Sequence, residues 1–245
     1  MDTKNFLRST KLALKAKKQI APGVWTFSFT TVKPLTWKAG QHGIFFLKTA
    51  DGKRSFRSFS ISSAPSENII SFTTRFTNEP LSGFKQALKK LSKGDTITMR
   101  GPVGPLYMRK DSDEYAFLAT GIGITPFRAL LKEMAATGQK NKVTLFFAGN
   151  KDNHFFRDEL SELNAKMPNL KIKYIYYPER LTGGLIEESL GENLLSTTFF
   201  ISGSPKTIKG YRRTLSGLGV KRRAIKNDTF FTLKPVKPTQ KKQTV

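Results

Sequence analysis

The chain has 245 residues, 38% hydrophobic and 24% charged, a composition that fits one large or two ordinary globular domains and excludes fibrous or disordered classes. It has no cysteine, which removes disulfides, thiolate zinc sites, cysteine nucleophiles and cysteine-ligated iron–sulfur clusters together; two histidines, His42 and His154, are too few for a histidine-rich metal site. The formal charge of +24 favours anionic partners: nucleic acid, an anionic membrane surface or an acidic protein.

Residues 1–110 carry 20 basic and 5 acidic side chains, net +15, and residues 111–245 carry 22 and 13, net +9. The excess is spread over the whole chain, so a lysine-rich composition explains it as readily as a partner does. No run approaches the roughly 18 apolar residues of a transmembrane segment, and the densest, Ile44-Phe45-Phe46-Leu47, is strand-sized. Between Met1 and Trp25 there is no unbroken apolar stretch, so the expectation is a cytoplasmic protein without a secretory signal.

From Lys11 to Arg109 the signals are short and alternating. Val24–Phe29 alternates with period two, and Ile70, Phe72, Thr74 and Phe76 repeat the pattern. Pro22-Gly23, Ala39-Gly40, Asp51-Gly52 and Lys93-Gly94-Asp95 punctuate the runs. This spacing predicts a small antiparallel barrel. One helix interrupts it, with Phe84, Ala87, Leu88 and Leu91 on one face and Ser82 as N-cap.

After Asp111-Ser112-Asp113 strands alternate with helices. Strands are predicted at Tyr115–Thr120, Val143–Ala148, Lys171–Tyr177, Thr198–Ser202 and Arg223–Phe230. Helices are predicted from Thr125-Pro126, with Thr125 as cap, from about Asn153 to Lys166, and from Ser204-Pro205. Continuous apolar strands between helices imply a doubly wound parallel sheet. The expected organisation is an antiparallel β-barrel domain over 1–110, an α/β domain over 111–233, and a basic tail without period over 234–245.

Two segments carry chemistry. Gly121-Ile122-Gly123-Ile124-Thr125-Pro126 is a glycine turn between a buried strand and a helix start, where backbone can approach a pyrophosphate. Its last position is Pro rather than the Gly of the usual dinucleotide fingerprint, and an ordinary tight turn reads similarly. In Arg57-Ser58-Phe59-Ser60-Ile61-Ser62-Ser63-Ala64-Pro65, Arg57 offers a planar fork for phosphate, Phe59 a face for stacking and Ser60 a hydroxyl. On a strand, Arg57 and Phe59 share one face and Ser60 takes the other.

Together these segments resemble the ferredoxin–NADP reductase superfamily. The first half carries its Arg-x-Tyr-Ser flavin signature as Arg57-Ser58-Phe59-Ser60. Gly121–Arg128 resembles its nicotinamide-nucleotide motif. Lys93-Gly94-Asp95, Gly101-Pro102-Val103-Gly104, Phe147–Leu160 and Ile201–Pro205 follow in family order. The resemblance implies a six-stranded FAD-binding barrel, a nucleotide-binding α/β domain and NAD(P)H as electron donor.

It also implies roles for single residues. Arg57 would contact the FAD pyrophosphate, with Ser82 and its helix as a second phosphate element. Ser58 and Phe59 would line the flavin, with Phe59 standing where the family has Tyr. Ser60 would lie near flavin N5, and Ser202 with Gly203 near the reacting nicotinamide, which makes Ser60 and Ser202 the candidate catalytic positions. Gly121, Gly123, Thr125 and Pro126 would border the nicotinamide nucleotide. Phe231 would cover the flavin or simply pack. Arg54-Ser55-Phe56 is a competing frame for the flavin signature, but only Arg57 is followed by Ser-Ile-Ser-Ser-Ala-Pro. Asn150-Lys151 offers a cation for an NADP 2′-phosphate, with Arg157, Lys173 and Arg180 as helpers and Asp152 close by; NAD and NADP both stay open.

Hydride transfer to a flavin needs no general base, which fits a sequence without an evident acid–base constellation. His42 and His154 read as structural or surface residues. The acceptor implied is a separate acidic one-electron carrier of the ferredoxin or flavodoxin kind. A reductase of free flavin or another small acceptor is the alternative, and a nucleic-acid-binding module, without a recognised motif and without an expected stable complex, the remote one.

Overall fold

A computed structural model describes residues 9–31, 34–76, 80–109 and 112–228. The first half forms one antiparallel sheet from β1 (Ser9–Ala21), β2 (Val24–Thr31), β3 (His42–Lys48), β4 (Arg54–Ser60), β5 (Ile70–Arg75) and β6 (Thr96–Val103), in the order β4-β3-β6-β1-β2-β5. Alternation drives the curl, because Leu12, Leu14, Phe27, Phe29, Phe45, Ile70, Phe72, Ile97 and Met99 all turn inward to one core. The end strands β4 and β5 meet through side chains rather than a hydrogen-bonded ladder. Phe59 of β4 stacks on Phe72 of β5 with centroids 4.4 Å apart and planes 3° from parallel. Helix α1 (Gly83–Lys90) packs its Phe84 and Leu88 beside this seam, and Ser82 caps it as expected.

The second half is a five-stranded parallel sheet of β7 (Glu114–Thr120), β8 (Lys142–Gly149), β9 (Leu170–Tyr176), β10 (Thr198–Ser202) and β11 (Ile225–Asn227), ordered β11-β10-β7-β8-β9. Helices α2 (Thr125–Thr137) and α3 (Arg157–Lys166) cover one face, while α4 (Gly183–Leu190) and α5 (Pro205–Gly217) cover the other. The sheet is doubly wound, and its strand order reverses between β7 and β10. Doubly wound sheets bind ligands at such a switch point, outside the carboxyl ends of the strands.

Some local expectations shift. Thr125 is not a cap: Gly121–Ile124 is a 3-10 turn that runs directly into α2, and the Thr125 hydroxyl donates to the Ile122 carbonyl at 3.1 Å. The helix expected from Asn153 begins at Arg157, because Phe156 takes a left-handed φ of 62°. The last strand is shorter than expected and follows a 3-10 turn at Arg222–Ala224. Helix α4 was absent from the sequence reading, since Gly183-Gly184 reads as loop; the Thr182 hydroxyl caps it by accepting from Leu185 N at 3.3 Å. Phe231, the 110/111 boundary and the basic tail lie outside the described residues.

Candidate functional site

The two halves meet around the β4–β5 seam. Arg57 of β4 is half-buried, donates once to the Phe56 carbonyl at 2.8 Å and sits with its guanidinium 5.8 Å from the Phe84 ring. Lys85, in the first turn of α1, donates its ammonium to the Arg75 carbonyl. Arg75 ends β5, donates to Asn153 Oδ1 at 2.8 Å and lies over Phe155 at 5.3 Å. It also borders the glycine turn, because a Cβ at Gly121 would come within 3.8 Å of Arg75 Nη2.

Three cations thus gather beside the N-terminus of α1, and among the described residues no carboxylate pairs with them. Their electrostatics show the crowding. Burial pushes the Lys85 ammonium below the ordinary lysine range, and repulsion from Arg57 and Arg75 pushes it further. Burial also lowers Arg57. A cluster of this kind, at a helix N-terminus, suits a pyrophosphate. The Ser82 hydroxyl accepts from Lys85 N at 3.5 Å, which leaves its O–H as a donor at the same helix start.

Phe59 packs in this seam, whereas Ser60 lies on the opposite side of β4, as alternation requires. The Ser60 hydroxyl donates to Asp228 Oδ2 at 2.7 Å. The other Asp228 oxygen stands 2.9 Å from His42 Nδ1, off the direction of a good hydrogen bond. His42, Ser60 and Asp228 are all buried. Gly104 makes room for the imidazole: a Cβ there would come within 2.7 Å of His42 Nδ1. The sequence reading missed this constellation. No local pattern links Ser60 to Asp228, 168 residues away. His154 is structural, buried between Phe147, Tyr174 and Tyr176, with Nε2 3.0 Å from the Phe147 carbonyl.

The switch point gathers most of the remaining expected residues. Ser202 ends β10 beside Ala119 of β7, fully buried, with its hydroxyl unpartnered. Gly123 and Gly203 let the two strand ends close on each other, because a Cβ at 123 would meet Ser202 O at 2.3 Å and one at 203 would meet Thr120 Oγ1 at 2.4 Å. Thr125 and Pro126 are buried under the turn, and Lys151 is exposed beyond the end of β8. Ser58 keeps a buried hydroxyl without a partner. Arg54 is set apart from all of these, exposed on the outside of the barrel against Phe46.

A cation cluster at a helix N-terminus without a carboxylate partner among the described residues, an unpartnered buried hydroxyl at the switch point and a close-packed glycine turn fit a flavin dinucleotide and a nicotinamide nucleotide together.

Comparison with known proteins agrees. Residues 11–107 match the oxidoreductase FAD-binding domain family and residues 117–212 the oxidoreductase NAD-binding domain family. NADH-cytochrome b5 reductase 1 of Neosartorya fischeri is 28% identical over 231 residues, spanning 85% of this chain and 74% of that protein. Among solved structures, the cytochrome b5 reductase domain of Ulva prolifera nitrate reductase superposes with a TM-score of 0.79 at 18% identity, over 91% of this chain and 98% of that one. A Neisseria gonorrhoeae ferredoxin NADP+ reductase with bound FAD and NADP superposes at 0.71 and 21% identity, over 90% and 98%.

Proposed function

The chain belongs to the ferredoxin–NADP reductase family of FAD-dependent NAD(P)H oxidoreductases, and we propose that it passes electrons from NAD(P)H to a separate acidic one-electron carrier. The observation that carries the carrier reading is the net +15 on residues 1–110, the half that holds the flavin-binding family match. A positive field there steers an acidic protein towards the flavin half. The relatives named cytochrome b5 reductase are a precedent for a protein acceptor. For each NAD(P)H oxidised, two carriers are reduced and one proton is released.

When bound, the flavin supplies hydride acceptance and single-electron release. The chain supplies binding, orientation and a place for the proton. Arg57, with Lys85 and Arg75, holds the FAD pyrophosphate at the start of α1, and Ser82 caps that helix. Phe59 and Ser58 line the flavin. Gly121, Gly123, Thr125 and Pro126 would form the floor for the nicotinamide nucleotide, Ser202 and Gly203 would border the nicotinamide, and Lys151 would supply the cation for a 2′-phosphate. Ser60, with its proton committed to Asp228, presents lone pairs to an N–H donor. A proton taken from that donor passes through Ser60 to the buried Asp228 carboxylate, the one hydrogen-bonded link in this set.

Carrier reduction across a salt series tests this reading, with a neutral quinone as control. Exposed charges are screened over about 8 Å at physiological ionic strength. Carrier turnover at subsaturating concentration falls steeply as salt rises, while quinone turnover stays level. Equal salt dependence for both acceptors would favour a small-acceptor reductase instead.

A further inference from the structure

The outer face of the barrel carries a patch that the cofactor-binding groups do not use. Strand register sets Arg54 opposite Lys48, Phe56 opposite Phe46, and Ile44 opposite Arg100. These side chains alternate with buried Phe45, Leu47 and Met99, so they point away from the core. The Phe46 and Phe56 rings lie 5.5 Å apart, and Phe56 is 37% exposed. The guanidinium groups of Arg54 and Arg100 lie 4.4 and 5.4 Å from the Phe46 ring. None of the strands β1, β3, β4 and β6 contains an Asp or Glu. The carboxylate in the β3–β4 turn, Asp51, is engaged by Thr49 and Lys53.

An apolar centre rimmed by cations has the anatomy of a protein interface. A guanidinium resting on a ring is already ordered and turns its donors outward, so it loses little freedom on pairing with a carboxylate. Single-stranded nucleic acid would instead need free ring faces for stacking, and both guanidiniums lie against Phe46. The patch also runs towards the active end: Phe56 is on the same side of β4 as Ser60 and four residues away, about 13 Å along the strand.

We propose that this patch is the docking surface for the acidic carrier. A small apolar centre on the carrier seats on Phe56 and Ile44, and its carboxylates pair with Lys48 and with Arg54 and Arg100, which rest on Phe46. The inference rests on the carrier reading above, and its test separates the two.

Steady-state reduction of three probe carriers, a cytochrome b5, a plant-type ferredoxin and a flavodoxin, is measured with holoenzyme. The variants are Arg54→Glu/Arg100→Glu, Phe56→Ser, and Lys166→Glu on the exposed end of α3 as control. Flavin content and turnover with a neutral quinone report that each variant is folded. The double charge reversal raises KM for the reduced carrier by about tenfold or more, Phe56→Ser by about threefold, and kcat and quinone turnover hold. Carrier KM values that move no further than in Lys166→Glu would overturn the patch and leave the carrier reading standing. Quinone reduction without reduction of any carrier would overturn both. Tight binding of a 20-mer of thymidine, lost in Phe56→Ser and in the double variant, would assign the patch to nucleic acid instead.

Discussion

Two arginines of this protein sit in crowded, partly buried positions and keep opposite company. Arg128 of α2 is saturated with acceptors. It donates to both Glu67 oxygens at 2.7 and 3.0 Å, to both Glu159 oxygens at 2.7 and 2.8 Å, and to the Ser62 carbonyl at 2.8 Å. Arg57 donates to one backbone carbonyl and faces two further cations. Arg128 ties the barrel, through Glu67 and Ser62, to α2 and α3 of the other half. With Lys132, which pairs with Glu159 at 3.2 Å, its cluster balances its own charge and needs nothing from outside. The Arg57 cluster is balanced only by an anion that the chain does not supply among its described residues. Buried cations with internal carboxylates hold the fold together, and buried cations without them mark a ligand.

Removing Arg128 tests the first half of this contrast and carries the largest expected effect. Burial alone would raise the Glu67 carboxyl, but the Arg128 hydrogen bonds and charge outweigh it and hold it below the usual carboxylate range. Arg128→Ala leaves Glu67 and Glu159 with Lys132 as the one remaining cation among the described residues. The carboxylates keep about a quarter of their surface and the Lys132 pair, so the cost is about 3 kcal/mol, the low end for breaking a buried pair. Urea unfolding of the variant shows that loss, while FAD affinity measured well below the melting range changes little. A variant that melts like wild type but loses FAD would reverse the assignment of the two clusters.

The second expected effect falls on binding. Arg57→Ala weakens FAD by about 1.5–3 kcal/mol, the range for hydrogen bonds to charged groups, or roughly 10- to 150-fold in Kd. Arg54→Ala, on the outer face, leaves FAD affinity within about threefold, as for an exposed charge. Flavin titration of the apoprotein by fluorescence ranks the two. The opposite ranking would mean that Arg54-Ser55-Phe56 is the true frame of the flavin signature.

That frame shows how far the sequence could be read. Period-two alternation identified the strands at Val24–Phe29 and Ile70–Phe76, and continuous apolar runs identified the parallel sheet, because burial on one face or two writes itself into local order. Arg57 was legible because it sits in a short motif, and the glycine turn and Ser202 because theirs lie at strand ends. Lys85 was not, although it lies three residues after the Ser82 cap; the apolar face of Phe84 and Leu88 dominates the pattern, and the lysine's neighbours Arg57 and Arg75 arrive from two other strands. Asp228 and His42 were illegible for the same reason in stronger form. An Asp after a short edge strand and a His at the start of β3 acquire meaning only when folding brings both to Ser60.

Lys85 gives the smallest effect and the sharpest test, because its sign changes with the observable. Its pKa in the folded protein lies below the unfolded value, so above the folded pKa the unfolded chain binds more protons. Stability of the flavin-free protein therefore rises with pH between the folded pKa and the ordinary lysine value of about 10.4. FAD binding needs the charged ammonium, so FAD affinity falls across the same window. In Lys85→Met both slopes flatten, and at neutral pH the variant binds FAD about fivefold more weakly, near 1 kcal/mol for a partly exposed ion pair. Tyr211 does not confuse the window, since burial pushes it up to about 12. The many exposed lysines cancel in the comparison of variant with wild type. Thermal melts of the flavin-free protein and FAD titrations, run in parallel from pH 7 to 10, read the two slopes. Slopes of the same sign in wild type, or slopes that survive in Lys85→Met, would remove Lys85 from the anion site and leave Arg57 and Arg75 as its cations.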